Sequence, residues 1–249
     1  MIQLKSSEDI KRIRDSARIL IDTHKLLMKL VDEGISTLQL DKEARNFIQK
    51  RGAEPSFLNY NGFPASICVS VNEQVIHGIP ANYKLKNGDL VGIDIGVTYK
   101  GYISDSANTI AVGSISETAR KLLKTTKECL NKGINAASYG ARIRDISKAV
   151  YGHAKANGFG VVREFCGHGV GFQLHEDPQV PNYISRGPNP RLREGMVIAI
   201  EPMINAGGDA IYMLNDDWTV VTADNSLSAH FEHTIAIFED RTEILTSLE

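Results

Sequence analysis

Four acidic residues stand in β-rich runs where apolar side chains would be expected. Asp94 follows Val91-Gly92-Ile93, and Asp105 opens a run that continues through Thr109, Ile110, Ala111 and Val112. Glu201 follows Val197-Ile198-Ala199-Ile200, and Glu232 precedes Thr234-Ile235-Ala236-Ile237. Taken singly, each reads as a surface-facing strand position. As a set they would repel one another, and burying even one unpaired carboxylate costs on the order of several kcal/mol. Lys86, Lys100, Arg191 and Arg193 are nearby in sequence but fall in loops and do not reach all four acids. Two divalent cations would balance the four charges and explain why acids persist in strands.

A histidine completes the set. His168 lies in Cys166-Gly167-His168-Gly169-Val170-Gly171, where flanking glycines let the backbone approach a ligand closely. This run lacks the lysine and helix start of a phosphate-cradling loop, and it does not fit the dinucleotide fingerprint. One imidazole with four carboxylates is oxygen-rich. It favours Mn, Fe or Co over a thiolate-type zinc site and leaves the metal's identity open.

The elements that must carry these residues occur twice. Apolar residues Ile10, Ile13, Ala17, Leu20, Leu27 and Leu30 follow helical spacing after a capping Ser6, with Glu8 and Asp9 in the first turn and Gly34 as the stop. A second helix starts at Thr37, buries Leu40, Ala44, Phe47 and Ile48, and ends at Gly52. A helix from Ser116 (Leu122, Leu123, Cys129, Leu130, Ile134) and another with Ile143, Ile146, Val150 and Ala154 repeat the plan. Gly34 and Gly140 differ by 106 positions, as do Gly52 and Gly158. His77-Gly78-Ile79-Pro80 faces His175-Glu176-Asp177-Pro178, and the run from Leu85 to Asp94 faces that from Leu192 to Glu201. The turn-like residues 96–101 predict a hairpin with Asp94 and Asp105 on neighbouring strands. The expected architecture is α+β: a single domain over 1–249, with duplicated halves at about 8–112 and 116–238 related by a pseudo-twofold. Helices would cover one face of the sheet.

Composition narrows the function class. With 28 basic and 30 acidic residues the net charge is −2, which gives no electrostatic reason to expect nucleic acid or membrane as partner. Residues 1–10 are not a signal peptide, and no apolar run is long enough to span a bilayer. Cys68, Cys129 and Cys166, with no CxxC pair, read as reduced thiols of a cytoplasmic protein. No coiled-coil heptad argues against a monomer.

Together, Asp94, Asp105, Gly167-His168-Gly169, Ala199-Ile200-Glu201-Pro202 and Glu232-His233-Thr234 resemble the pita-bread metallopeptidases. Within them, Tyr60-Asn61-Gly62-Phe63-Pro64, Ser66-Ile67-Cys68, Ser70-Val71-Asn72-Glu73, His77-Gly78-Ile79-Pro80 and His175-Glu176-Asp177-Pro178 are similar to the bacterial type I methionine aminopeptidases. The resemblance implies a curved, mainly antiparallel sheet under helices. It also implies removal of N-terminal methionine from nascent polypeptides when the second residue is small, with two divalent ions (Co, Mn, Fe or Zn) activating the water that attacks the scissile carbonyl. Asp105 and Glu232 would bridge the ions, Asp94 would chelate one, and His168 and Glu201 would complete the other. Glu201 would also shuttle the proton. His175 would hydrogen-bond the carbonyl or developing oxyanion, and His77 would contact the scissile amide. Tyr60, Phe63, Cys68, His77, Leu174 and Trp218 would line the methionine pocket.

Phe63, Leu174 and His230 stand where tyrosine, phenylalanine and glutamine are frequent; the first two keep the pocket apolar. His24, His153, His230 and His233 read as packing or supporting histidines. Transient ribosome association is compatible with this role, though no motif asks for it. Two rivals share the fold: a prolidase-like or type II enzyme, for which 249 residues leave no extra domain or insertion, and a metal-free binding module, which would be expected to lose ligands.

Overall fold

The computed structural model describes residues 1–248. Ser6 caps the first helix reciprocally: its side chain accepts from the Asp9 N–H, and Asp9 accepts from the Ser6 N–H. The first half then runs α1 (Ser7–Leu30), α2 (Thr37–Lys50), β1 (Glu54–Pro55), β2 (Cys68–Val71), β3 (Gln74–Ile76), β4 (Leu90–Tyr99) and β5 (Tyr102–Ala111). The second half begins with α3 (Glu117–Ala136), α4 (Ile143–Ala156), β6 (Gly160–Val161), β7 (Gly167–Gly169) and β8 (Glu176–Val180). It continues with β9 (Val197–Ile200), β10 (Met203–Asn205), β11 (Ile211–Met213), β12 (Val220–Thr222), β13 (Ser228–His230), β14 (His233–Ile237) and β15 (Thr242–Ile244).

Equivalent joints hold the helix pairs to the strands. Gly34 N–H donates to Leu85 O at 2.8 Å, and Gly140 N–H donates to Leu192 O at 3.0 Å. Both glycines adopt positive φ, +90° and +81°, which a side chain would strain. Two cores follow from this plan. Leu20, Leu27, Leu40, Ala44 and Ile48 pack on Ile93 and Ile95 of β4. Leu122, Leu130, Ile146 and Val150 pack on Ile198, Ile200 and Ile235 of β9 and β14. Phe47, expected inside, is half-buried, with the Arg51 guanidinium 4.6 Å from its ring centroid.

All strand pairs described are antiparallel. β4 carries β1 and β2 on one edge and β5 on the other; β9 carries β7 on one edge and β14 on the other. The turn between β4 and β5 differs from expectation. Strand β4 continues through Gly96 to Tyr99, and only Lys100 and Gly101, with φ of +50° and +81°, form the connection. Positive φ at both central residues is the tight hairpin geometry that matches strand twist.

Side chains join the two halves. Thr234 Oγ1 donates to Asp105 O at 2.7 Å and accepts from Asp105 N–H at 3.2 Å. Thr109 Oγ1 does the same for His230, at 2.7 and 3.0 Å. Two threonine hydroxyls thereby stand in for ladder bonds between β5 and the strands of the second half.

Candidate metal and peptide-binding site

Register sets the acid pair of the first half. Asp94 lies opposite Ala107, and Asp105 lies opposite Gly96. Side chains two apart share a face, so Asp94 and Asp105 are diagonal neighbours on one side of the hairpin. Glu201 sits one residue past β9, and Glu232 sits between β13 and β14 rather than within a strand. The Glu232 N–H donates to Ala107 O at 2.9 Å, which swings its carboxylate toward Asp105. His168 is the middle residue of β7. A Cβ on Gly167 would stand 2.3 Å from Ala199 O, and one on Gly169 would stand 2.2 Å from Asp177 O. The glycines therefore let β7 sit tightly between β8 and β9.

Ligand atoms of Asp105, His168 and Glu232 all lie within 4.8 Å of one another. Glu201 joins through a 3.5 Å approach of Oε1 to His168 Nε2. Asp94 joins as the diagonal neighbour of Asp105, close enough for the two carboxylates to repel. Burial is the first cause of every shift here. It pushes Asp94 up to about 7 and Glu201 up to about 8. Asp105 and Glu232 rise well above the carboxylate range, burial being reinforced by neighbouring acids. His168 falls to about 3 through burial and the nearby His175.

These residues fit divalent cations on two observations. Asp94 Oδ1, Asp105 Oδ1 and Glu232 Oε1 are buried with no hydrogen-bond donor. His168 Nδ1 is 2.9 Å from Gly169 O, which can only accept, so Nδ1 carries the proton and Nε2 is a lone pair. That lone pair faces Glu201 at 3.5 Å and Asp105 at 3.9 Å. Acceptors aimed at acceptors repel unless protons or cations lie between them, and divalent cations would satisfy the whole set at once.

A cleft of about 720 Å³ opens above this cluster and is lined by all twelve residues singled out in the sequence. Tyr60 Oη lies 2.9 Å from His175 Nδ1. The His175 and His168 ring centroids are 4.4 Å apart. Phe63 packs edge-on against Trp218 at 5.1 Å, and Cys68 and Leu174 share their cluster. His77 packs edge-on against Phe165 at 5.5 Å. Its φ of +57° is a left-handed conformation costing roughly 1–2 kcal/mol in a non-glycine residue. Such strain concentrates at functional sites. Burial and the neighbouring His230 and His175 hold the His77 pKa down to about 4. Burial raises the Cys68 thiol well above its usual range and Cys166 to about 11, so neither is a ready nucleophile.

The other histidines serve packing and support. His24 Nε2 meets Ser106 O at 3.1 Å, His153 meets Glu128 at 2.7 Å, and His233 Nδ1 meets Thr246 Oγ1 at 3.0 Å. His230 is nearest the cluster, with Nε2 3.5 Å from Glu201 Oε2. Phe165, Thr234 and Asn182, whose amide donates to Glu201 O at 2.9 Å, also hold the site and carry no sequence signal of their own.

The family model described as "Metallopeptidase family M24" matches residues 11–239. A methionine aminopeptidase of Clostridium perfringens is 51% identical over 249 residues, covering 100% of both chains. Methionine aminopeptidase 1 of Bacillus subtilis is 51% identical over 246 residues, covering 99% of each. The crystal structure of methionine aminopeptidase from Rickettsia prowazekii superposes with a TM-score of 0.97 at 38% identity, covering 99% of this chain and 100% of that one.

Proposed function

The chain belongs to metallopeptidase family M24, and on that footing we propose that it removes the N-terminal methionine from nascent polypeptides whose second residue is small. It has the pita-bread fold, and we assign residues 1–249 to one catalytic domain with a repeat over 8–112 and 116–238. The observation that carries the function is the set of donor-less buried carboxylate oxygens facing the His168 lone pair beneath an aromatic pocket.

In this assignment Asp94, Asp105 and Glu232 would hold one divalent ion, and His168 and Glu201 would hold a second together with Asp105 and Glu232. When bound, such a pair supplies Lewis acidity: it lowers the pKa of a water and polarises the scissile carbonyl. Glu201 takes the proton from the attacking water and returns it to the leaving amine, a task its place at the cleft floor beside His168 allows. His175 donates from Nε2 to the carbonyl oxygen. That requires Nδ1 to accept, so the Tyr60 hydroxyl donates across the 2.9 Å contact and fixes the tautomer. His77 lines the scissile amide. Phe63, Cys68, Leu174 and Trp218, with the Tyr60 ring, enclose the thioether, which suits polarizable neighbours.

Mn, Fe, Co and Zn all suit this donor set, with Mn, Fe and Co favoured by its oxygen content. We assign a monomer acting in the cytoplasm and associating at most transiently with ribosomes. The three cysteines are unpaired, as a reducing compartment would keep them; no helix among the described residues is long and apolar enough to cross a membrane. The test is release of the first residue from Met-Ala-Ser, Leu-Ala-Ser and Met-Lys-Ser with added Mn, Co or Fe. Only the first peptide should be cleaved; substantial leucine release would overturn the assignment.

A further inference from the structure

One ion pair outside the metal-binding cluster is withdrawn from solvent. Lys5 Nζ meets Glu176 Oε2 with side-chain exposures of 1% and 2%. Among the described residues, every other lysine or arginine bridge to a carboxylate keeps at least one partner substantially exposed. Burying two charges costs more than their attraction returns unless other hydrogen bonds satisfy them, and here they do. Glu176 Oε1 accepts from the backbone N–H groups of Phe172 at 2.7 Å and Gln173 at 2.9 Å. Lys5 Nζ also donates to Gln3 O at 3.0 Å and lies 5.1 Å from the Phe172 ring centroid. The Lys5 backbone is held too, its N–H donating to Gly195 O at 2.7 Å.

The pair closes a specific loop. Gly169 of β7 is opposite Glu176 of β8, so residues 170–175 span between them. That span carries Leu174 and His175 into the cleft, and its two donors end on the Glu176 carboxylate. We infer that Lys5 is a positioning residue for His175 and Leu174, acting through Glu176, so that the segment ahead of α1 is a working part of the peptide-binding site. The inference rests on the aminopeptidase reading for its kinetic consequence but not for its structural one. Without Lys5, the Glu176 charge is unpaired in a dry site. It relaxes toward water, releases the two N–H groups, and lets His175 drift from the scissile carbonyl. A pair that merely anchored the N-terminal segment would affect stability and leave His175 in place.

The test uses the metal-loaded protein. Lys5→Met should lower kcat on Met-Ala-Ser about tenfold or more, because small misplacements of a catalytic group have large kinetic effects; metal content should not change. Lys5→Arg and the charge-free pair Lys5→Met with Glu176→Gln should recover most of the loss. In a His175→Ala background, Lys5→Met should cost no more than about twofold, since its route to the reaction is gone. A readout independent of activity is the ring 15N resonances of His175 in the diamagnetic zinc-loaded protein, which should move in Lys5→Met and return in the charge-free pair while those of His24 stay. If Lys5→Met does not fold, Lys5→Gln keeps a donor without the charge and should move the same resonances less. The inference is overturned if the His175 resonances do not move, or if the kinetic loss is as large without His175 as with it. A parent protein that releases no methionine would instead sink the aminopeptidase reading, leaving the resonance test standing.

Discussion

The β4–β5 hairpin and the pair formed by β9–β10 with β13–β14 share a register logic and differ in one break. In the hairpin, pairing runs uninterrupted from Leu90 opposite Ala111 to Tyr99 opposite Tyr102, and both acids are ordinary strand positions. In the second pair the register is the same on both sides of a gap, Ile200 opposite His233 and Met203 opposite His230. Between them, at Glu201-Pro202 and Phe231-Glu232, the ladder thins to one long bond, Phe231 N–H to Pro202 O at 3.4 Å. Pro202 has no N–H to give, and the Glu232 N–H turns to Ala107 of the first half.

The two registers correspond position by position. Glu201 occupies the place of Asp94. The place of Asp105, however, belongs in the second half to His230, and Glu232 stands where Ala107 stands. Duplication therefore supplies equivalent acids at one position only. The fourth acid sits off the symmetric place and reaches the cluster because the register sets it directly opposite Glu201, while its N–H, on the outer edge of its strand, bonds to Ala107 of the first half. A symmetric scaffold yields an asymmetric site because the second half carries this acid two residues along from the symmetric place.

Breaking the hairpin's contribution should have the largest effect. Asp105→Ala removes the carboxylate nearest both Asp94 and Glu232, and peptide cleavage should fall at least about a thousandfold with loss of bound metal. The chelated variant should nevertheless be more stable than the chelated parent by about 1–3 kcal/mol in urea unfolding, because a donor-less buried oxygen is gone. An unchanged or lower stability would contradict the unpaired-charge account of the cluster.

The threonine bridges sharpen the comparison at smaller scale. Thr234→Val and Thr109→Val each strip a donor and an acceptor from buried backbone groups, and each should cost about 1–3 kcal/mol. Only Thr234→Val should also weaken metal retention, since its hydroxyl holds the backbone of Asp105 itself. Isothermal titration of both variants with Mn would show whether the two bridges differ in this way.

The smallest effect is a pH dependence confined to the metal-free protein. Burial raises Asp94 to about 7 and Glu201 to about 8, so the folded state binds more protons than the unfolded state above the ordinary carboxylate range. Their stabilising protonation is complete near pH 4 and is lost as pH rises through 7 and 8. His24, His77, His168, His175, His230 and His233, all lowered chiefly by burial, act oppositely, and their effect fades only about one pH unit above the ordinary value of 6.5. Between about pH 7.5 and 8.5 the carboxylates dominate, and the Tm of chelated protein should fall by a few degrees. Metal-loaded protein should be flat over that window, and equal slopes would contradict the scheme.

Much of this was legible in the sequence because local chemistry announced it. Ser6 does cap α1, a helix does begin beside Ser116, and the paired glycines Gly34 and Gly140 mark equivalent joints. Gly96 misled for a physical reason. Its missing Cβ reads as a turn signal, yet a Cβ there would stand 2.6 Å from Phe57, so the glycine serves packing in mid-strand. The Lys5–Glu176 pair was invisible because no periodicity links residues 171 positions apart. The displacement of Glu232 was hidden likewise: its run looked like continuous strand, and only the pairing partners reveal the gap.

The two-residue turn at Lys100 and Gly101 also sets how the site's parts are recruited along the chain. It brings Asp94 and Asp105, eleven residues apart, together through local pairing. Glu232 must be fetched across 127 residues from Asp105. Closure entropy grows only with the logarithm of loop length, so this roughly tenfold longer span adds only about 2 kcal/mol. Distance along the chain is thus a minor obstacle to assembling the centre, and the concentration of negative charge at its end point is the major one.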